Sequence, residues 1–187
     1  MKKNFIHLHL HTEYSLLDGV GKIDEYLNRA KELGMESIAI TDHGNMFGAV
    51  EFYKKCIKQG IKPIIGIETY LSLNSIYSEK EKRERKNYHL VLLAKNEIGY
   101  KNLIKLSSIA YTEGFYYRPR IDKDILKKYS EGLICLSACM NGEISSLILN
   151  GNLEKEVDLA IQSYVDIFGK EDFYLEIQSN GVFGQEE

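Results

Sequence analysis

The chain alternates short apolar runs with amphipathic stretches. Residues 5–10, Phe-Ile-His-Leu-His-Leu, are apolar or alternate and lead into turn-forming residues, which predicts a buried strand. Residues 23–33 carry Ile23, Tyr26, Leu27, Ala30 and Leu33 at helical spacing, and Gly34 ends that helix. A short buried strand is expected over 37–41, a helix over 46–59 stopped by Gly60, and a long β-branched strand over 61–73. A strand over 88–94, a helix over 97–111, a short helix over 122–129 capped by Asp122 and a strand over 133–137 come next. Helices over 144–149 and 153–168 and a strand over 173–177 close the series. This order implies one α/β domain over residues 1–187, with a mostly parallel sheet and helices outside it. The polar stretch 74–87 contains a dense charge run, 79–86, expected to be a solvated loop or short surface helix with offsetting charges.

Composition narrows the function classes. A chain of 187 residues with 44% apolar content can bury a sizeable core. Its net charge of −3 supplies no global basic field, which argues against an autonomous, tight nucleic-acid binder; any such contact has to be local. Cys56, Cys135 and Cys139 form no disulfide framework and suit a reducing compartment. No signal-like or membrane-length apolar run is present, so a cytoplasmic protein without a membrane partner is expected.

The candidate chemistry starts in the first apolar run. His7, His9 and His11, three of the five histidines in the chain, share one side of a strand because side chains alternate with period two. Two imidazoles so spaced can grip a divalent cation, and Asp18 beyond the loop is a candidate further ligand. A lone histidine is more often a core or surface residue, but this concentration favours metal. Glu68, set among Ile64, Ile65, Ile67 and Leu71, would be costly to bury unless it faced a cation. Asp42 and His43 end the strand over 37–41, Cys139 follows the strand over 133–137, and His89 begins its strand. Ligands of parallel α/β folds gather beyond the carboxyl ends of strands, a rule that Glu68 and His89 obey less neatly than the others. A closed or nearly closed barrel would still bring His9, His11, Asp18, His43, Glu68, His89 and Cys139 toward one mouth. Mixed N, O and S donors suggest zinc or manganese.

Seven motifs in order carry a resemblance. His9-Leu10-His11-Thr12, Ser15-Leu16-Leu17-Asp18-Gly19, Thr41-Asp42-His43-Gly44, Gly66-Ile67-Glu68 and the run from Leu136 through Ala138-Cys139-Met140-Asn141-Gly142 to Ile144 resemble the PHP (polymerase and histidinol phosphatase) domain family. With His89-Leu90-Val91-Leu92-Leu93-Ala94 and Gly114-Phe115-Tyr116-Tyr117-Arg118-Pro119-Arg120, they are most similar to the form found at the N-terminus of bacterial replicative DNA polymerase III alpha subunits. The resemblance implies a distorted (β/α)7, TIM-barrel-like fold with up to three divalent ions, held here by His9, His11, Asp18, His43, Glu68, His89 and Cys139. Asp42 and His7 would stand behind these ligands. Arg118 and Arg120 are candidate phosphate contacts and Tyr116 and Tyr117 candidate base contacts, unless that segment only packs the loop.

For activity, the resemblance implies a metal-dependent 3′→5′ exonuclease or phosphoesterase within a DNA-directed DNA polymerase, a nucleotidyltransferase whose own active site lies outside these residues. Two alternatives stand beside it: a non-catalytic scaffold, and a histidinol-phosphatase-like phosphomonoesterase. Implied partners are DNA, the rest of the polymerase chain, a proofreading exonuclease subunit and the sliding clamp. The family pattern closes on an Asp-x-His that is not found up to Glu187, and Ser179-Asn180-Gly181 reads as a turn. The expectation is therefore a barrel truncated before its last β/α unit. It would be open at one edge, prone to self-association, only partly loaded with metal and not catalytic by itself.

Overall fold

The computed structural model describes residues 5–16, 18–78, 86–183 and 185. The expectation for the charge run therefore lies, Lys86 apart, outside the described residues. Helix α1 (Ile23–Glu32) buries Ile23, Leu27 and Ala30, the face set by its apolar spacing, and Glu13 accepts a hydrogen bond from the Ile23 N–H at its start. Strand β1 (Ser37–Ile40) is buried throughout. Helix α2 (Ala49–Gln59) starts three residues later than expected and ends at Gly60 in the left-handed conformation. Strand β2 (Lys62–Ser72) is the longest, β3 (Asn87–Ala94) follows, and α3 (Glu97–Thr112) is N-capped by the Asn96 side chain on the Gly99 N–H. A two-residue strand not foreseen, β4 (Arg120–Ile121), precedes α4 (Lys123–Lys128), which Asp122 caps as expected. Strand β5 (Leu133–Leu136), α5 (Glu143–Leu149), α6 (Glu154–Phe168) and a short β6 (Phe173–Tyr174) complete the series.

The described strands form one sheet in the order β1-β2-β3-β5-β6, with β4 paired to the far end of β2 beside β1's position. It is mixed rather than mostly parallel: β3 runs antiparallel to both β2 and β5, while β1–β2, β2–β4 and β5–β6 are parallel. The expected first strand is not formed as one. Residues 5–10 run beside β1 through two backbone hydrogen bonds, Ala39 N–H to His7 O and Thr41 N–H to Leu10 O, both 2.9 Å. The Thr41 hydroxyl accepts from the Leu10 N–H at 2.7 Å and donates to the Leu10 carbonyl, taking the place of a further ladder bond. Phe5, Ile6 and Leu8 stay exposed, contrary to the buried pattern expected of them.

The main core lies between the sheet and α3 to α6, around Leu90, Leu92, Leu103, Leu106, Ile121, Leu126 and Tyr164; a second packs α1 and α2 on β1. The opposite face of the sheet carries a small cluster of Ala39, Val91, Leu93, Leu136 and Ala138. That face opens on an apolar cleft of about 1390 Å³, lined by Leu8, Ile64, Ile134, Tyr174, Leu175 and Ile177 among others. No ladder joins β6 to the 5–10 segment among the described residues, so the barrel is open and a (β/α)7 closure is not formed. All three cysteines are free, and no helix among the described residues is long and apolar enough to cross a membrane.

Candidate metal centre

Glu68 stands at the middle of the centre. It is 1% exposed, and its carboxylate meets four imidazoles. Oε1 lies 3.2 Å from His9 Nε2 and 3.0 Å from His89 Nδ1; Oε2 lies 3.5 Å from His11 Nε2 and in contact with His43 Nδ1. His9 Nε2 and His11 Nε2 are 3.2 Å apart, the His11 and His43 rings stack at 4.0 Å, and Asp18 reaches His43 Nε2 at 2.5 Å from the exposed rim. Cys139 Sγ is 3.7 Å from His89 Nδ1 and 3.9 Å from Glu68 Oε1. All seven expected ligands therefore come together.

The mixed sheet explains the two residues that fitted poorly. Because β3 is antiparallel, its start lies level with the carboxyl ends of its neighbours, and His89 faces Tyr70 of β2 across the ladder. β2 runs on past the end of β1, so that Glu68, although mid-strand, is level with His43, to which it forms a parallel bridge. Gly44 follows with φ +62, and a Cβ there would stand 2.8 Å from Pro119 and 2.9 Å from the Tyr70 ring; the turn that presents His43 requires glycine. Ala138 adopts φ +63 just before Cys139, a strained setting for a residue with a Cβ, where strain often accompanies a functional turn.

Asp42 stands behind His11 and His43 through Ser15 rather than against an imidazole directly. It is buried and accepts from the Thr12 N–H at 2.6 Å, the Thr12 hydroxyl at 2.8 Å and the Ser15 hydroxyl at 2.7 Å. Ser15 Oγ in turn accepts from the His43 N–H and lies 3.2 Å from His11 Nδ1, so Asp42 orders the loop of His11 through Ser15. It does not cap α2, whose first residue lies further on. His7 is exposed and edge-on to Phe5; the strand whose period would have aligned it with His9 is not formed. Its place behind the ligands is taken by Glu176, which sequence reasoning did not single out: Glu176 Oε1 is 2.7 Å from His9 Nδ1.

The electrostatics fit a cation site. Burial alone would lower the pKa of His9, but hydrogen bonds and charges from Glu176 and Glu68 outweigh it and raise the group to about 9. Burial likewise opposes a rise at His89, where hydrogen bonds to Cys139 and Glu68 prevail and hold it at about 9. Burial wins at His11, lowered to about 4. Burial would raise Glu68, yet the imidazoles of His43, His89 and His9 set against its oxygens hold it well below the usual carboxylate range. Among the described residues, three buried side-chain polar atoms have no hydrogen bond: His43 Nδ1, Glu68 Oε2 and Glu176 Oε2. The first two face each other without hydrogen-bond geometry, as donors turned toward a shared cation would be. Ligand atoms of His9, His11 and Glu68, of His11, Asp18 and His43, and of His43, Glu68 and His89 each lie within 4.8 Å of one another. The donor set fits divalent cations.

A groove of about 900 Å³ leads away from Asp18, His43 and His89. Of the four residues expected to contact phosphate or bases, Arg118 and Tyr117 line it and are exposed, with the Arg118 guanidinium 5.3 Å from the Tyr70 ring centre. Arg120 does not: it is 2% exposed, its guanidinium over the Tyr116 ring and its Nε donating to the Gly114 carbonyl. That pair packs the loop. The groove adds a row of exposed rings that the pattern did not reveal, Phe47, Tyr111 and Phe115, with successive centres 6.1 Å apart.

The comparisons agree with this architecture. The chain is 56% identical to the DNA polymerase III subunit alpha of Borreliella burgdorferi over 186 residues and 48% identical to that of Aquifex aeolicus over 192, matching 99% and 100% of its length. It spans 16% of the length of either relative. A solved structure from Bifidobacterium adolescentis, described as a metal-dependent phosphoesterase, shares its fold with a TM-score of 0.50 at 12% identity, over 96% of this chain and 91% of that one. Residues 7–180 match the PHP domain, and the chain belongs to that family.

Proposed function

We propose that this chain is the PHP module of a bacterial replicative DNA polymerase and hydrolyses phosphodiester bonds at a DNA 3′ end with the help of divalent cations. The observation that carries this reading is Glu68, buried at the centre of four histidines, with Oε2 and His43 Nδ1 lacking hydrogen bonds. His9, His11, Asp18, His43, Glu68, His89 and Cys139 would hold the ions, zinc or manganese by their donor set. The chemistry such ions supply is the acidification of water near neutral pH and the offsetting of charge that builds on phosphoryl oxygens.

The protein's own groups do the rest. Arg118, exposed beside Tyr70, offers a forked guanidinium to a phosphate of the strand. Phe47, Tyr111 and Phe115 offer ring faces on which unpaired bases stack, which favours a polymer over a small phosphate monoester. The net charge of −3 makes this a local contact, with affinity for DNA supplied by the rest of the polymerase chain. We assign the apolar cleft between β6 and the 5–10 segment to that same continuation of the polymerase.

Replacing His9 and His11 together by Ala in the full polymerase tests this. Loss of 3′-end hydrolysis with polymerisation intact is expected. Unchanged hydrolysis overturns the reading, and loss of stability alone, with no hydrolysis in the parent, turns it into a scaffold.

A further inference from the structure

The metal centre is also where the two edges of the open sheet touch. His9 lies on the segment that runs beside β1, at one edge, and Glu176 follows β6, at the other. Between the two edges no backbone ladder is formed among the described residues, yet the His9 and Glu176 side chains meet at 2.7 Å across 167 residues of sequence. We infer that Glu176 is a positioning residue for His9 and a clasp that couples cation binding to the joining of the sheet edges. The inference rests on the reading of this centre as a metal site.

The geometry of the imidazole is the first support. In the neutral ring that a cation would bind, a hydrogen bond from Nδ1–H to Glu176 leaves Nε2 with its lone pair free, and Nε2 is the atom that lies 3.2 Å from both His11 Nε2 and Glu68 Oε1. Glu176 therefore selects the tautomer that points a ligand atom into the cage. A carboxylate so placed fixes the ring and makes its far nitrogen a better donor to a cation.

The second support is that Glu176 is itself held. Its N–H donates to Ser137 Oγ at 2.8 Å, and Ser137 N–H donates to the Tyr174 carbonyl at 3.0 Å, which ties the segment to the turn that carries Cys139. Gln178 Nε2 donates to Glu176 Oε1 at 2.7 Å. Oε2 is buried without a hydrogen bond, a costly setting for a carboxylate. His9, Glu176 and Ser137 thus form one chain of contacts from the 5–10 segment to β5 and β6, at whose His9 end a cation would bind.

The test uses the full chain, stripped by a chelator and titrated with Zn²⁺ alone, as parent, as Glu176→Gln and as Lys155→Ala. Circular dichroism of the metal-free forms checks that each is folded. Glu176→Gln is expected to lower Zn²⁺ affinity by about 10- to 100-fold and to shrink the Zn²⁺-induced rise in Tm, while Lys155→Ala, at an exposed residue of α6 outside both the centre and the cleft, changes neither. Hydrogen exchange supplies the readout for the clasp. Zn²⁺ should slow exchange in both residues 5–10 and 174–178 of the parent, and should lose its effect on 174–178 in Glu176→Gln. Equal affinity in parent and Glu176→Gln, or an equal fall in Tm with and without Zn²⁺, overturns the clasp and leaves the metal site standing. No Zn²⁺ uptake by the parent overturns both.

Discussion

Glu68 shows how far single residues could be read. A charged residue inside an apolar, β-branched run has no cheap explanation other than a partner cation, and the carboxylate sits among four histidines. The pair His9 and His11 was read from strand spacing, and their Nε2 atoms do meet at 3.2 Å although the strand itself is not formed. Glu176 was not legible: within Phe173-Tyr174-Leu175-Glu176-Ile177 it looks like an ordinary outward strand residue, and only a contact 167 positions away marks it. Arg120 misled because an arginine among tyrosines resembles a nucleic-acid contact whether its guanidinium faces solvent or, as here, a buried ring. The titration of His9 and His89 gives a prediction at this scale. Both are raised from an ordinary 6.5 to about 9 in the metal-free protein, so the charged form is the one the fold favours. The stability they contribute is fully present below pH 6.5 and is lost as pH rises through 9. The Tm measured in chelator should fall across that window, and a flat profile would remove the charged network from the account.

At the scale of elements, helices were the most legible because an apolar stripe at helical spacing has one buried face, as α1 and α3 show. Strand direction was not, because an apolar run reads the same either way; β3 turned out antiparallel, and that reversal carries His89 to the mouth. The first expected strand failed through its edge position, where Thr41 replaces a ladder bond with side-chain bonds to Leu10. Thr41→Val should therefore leave the Leu10 N–H short of a partner and cost about 1–3 kcal/mol in urea unfolding, with weaker Zn²⁺ binding as the His9 and His11 segment loosens. Thr41→Ser, which keeps the hydroxyl, should stay close to the parent in both measurements.

The whole molecule is an open mixed sheet whose inner face ends in an apolar cleft of about 1390 Å³. Tyr174, Leu175 and Ile177 line that cleft and are exposed, which leaves a contiguous apolar surface of the kind that seeks a partner. Sedimentation velocity on the 187-residue chain should show self-association at micromolar concentration, removed by Leu175→Asp with Ile177→Asp. A monomer before and after those changes would mean that the cleft needs no cover. The central claim is that the seven-ligand cage at the mouth is a cation site, and elemental analysis of the full chain tests it most directly. The account predicts bound zinc or manganese, up to one ion for each of the three donor groups, and its loss in the His9→Ala, His11→Ala double variant. A parent chain that carries no transition metal after purification and Zn²⁺ or Mn²⁺ loading would contradict it.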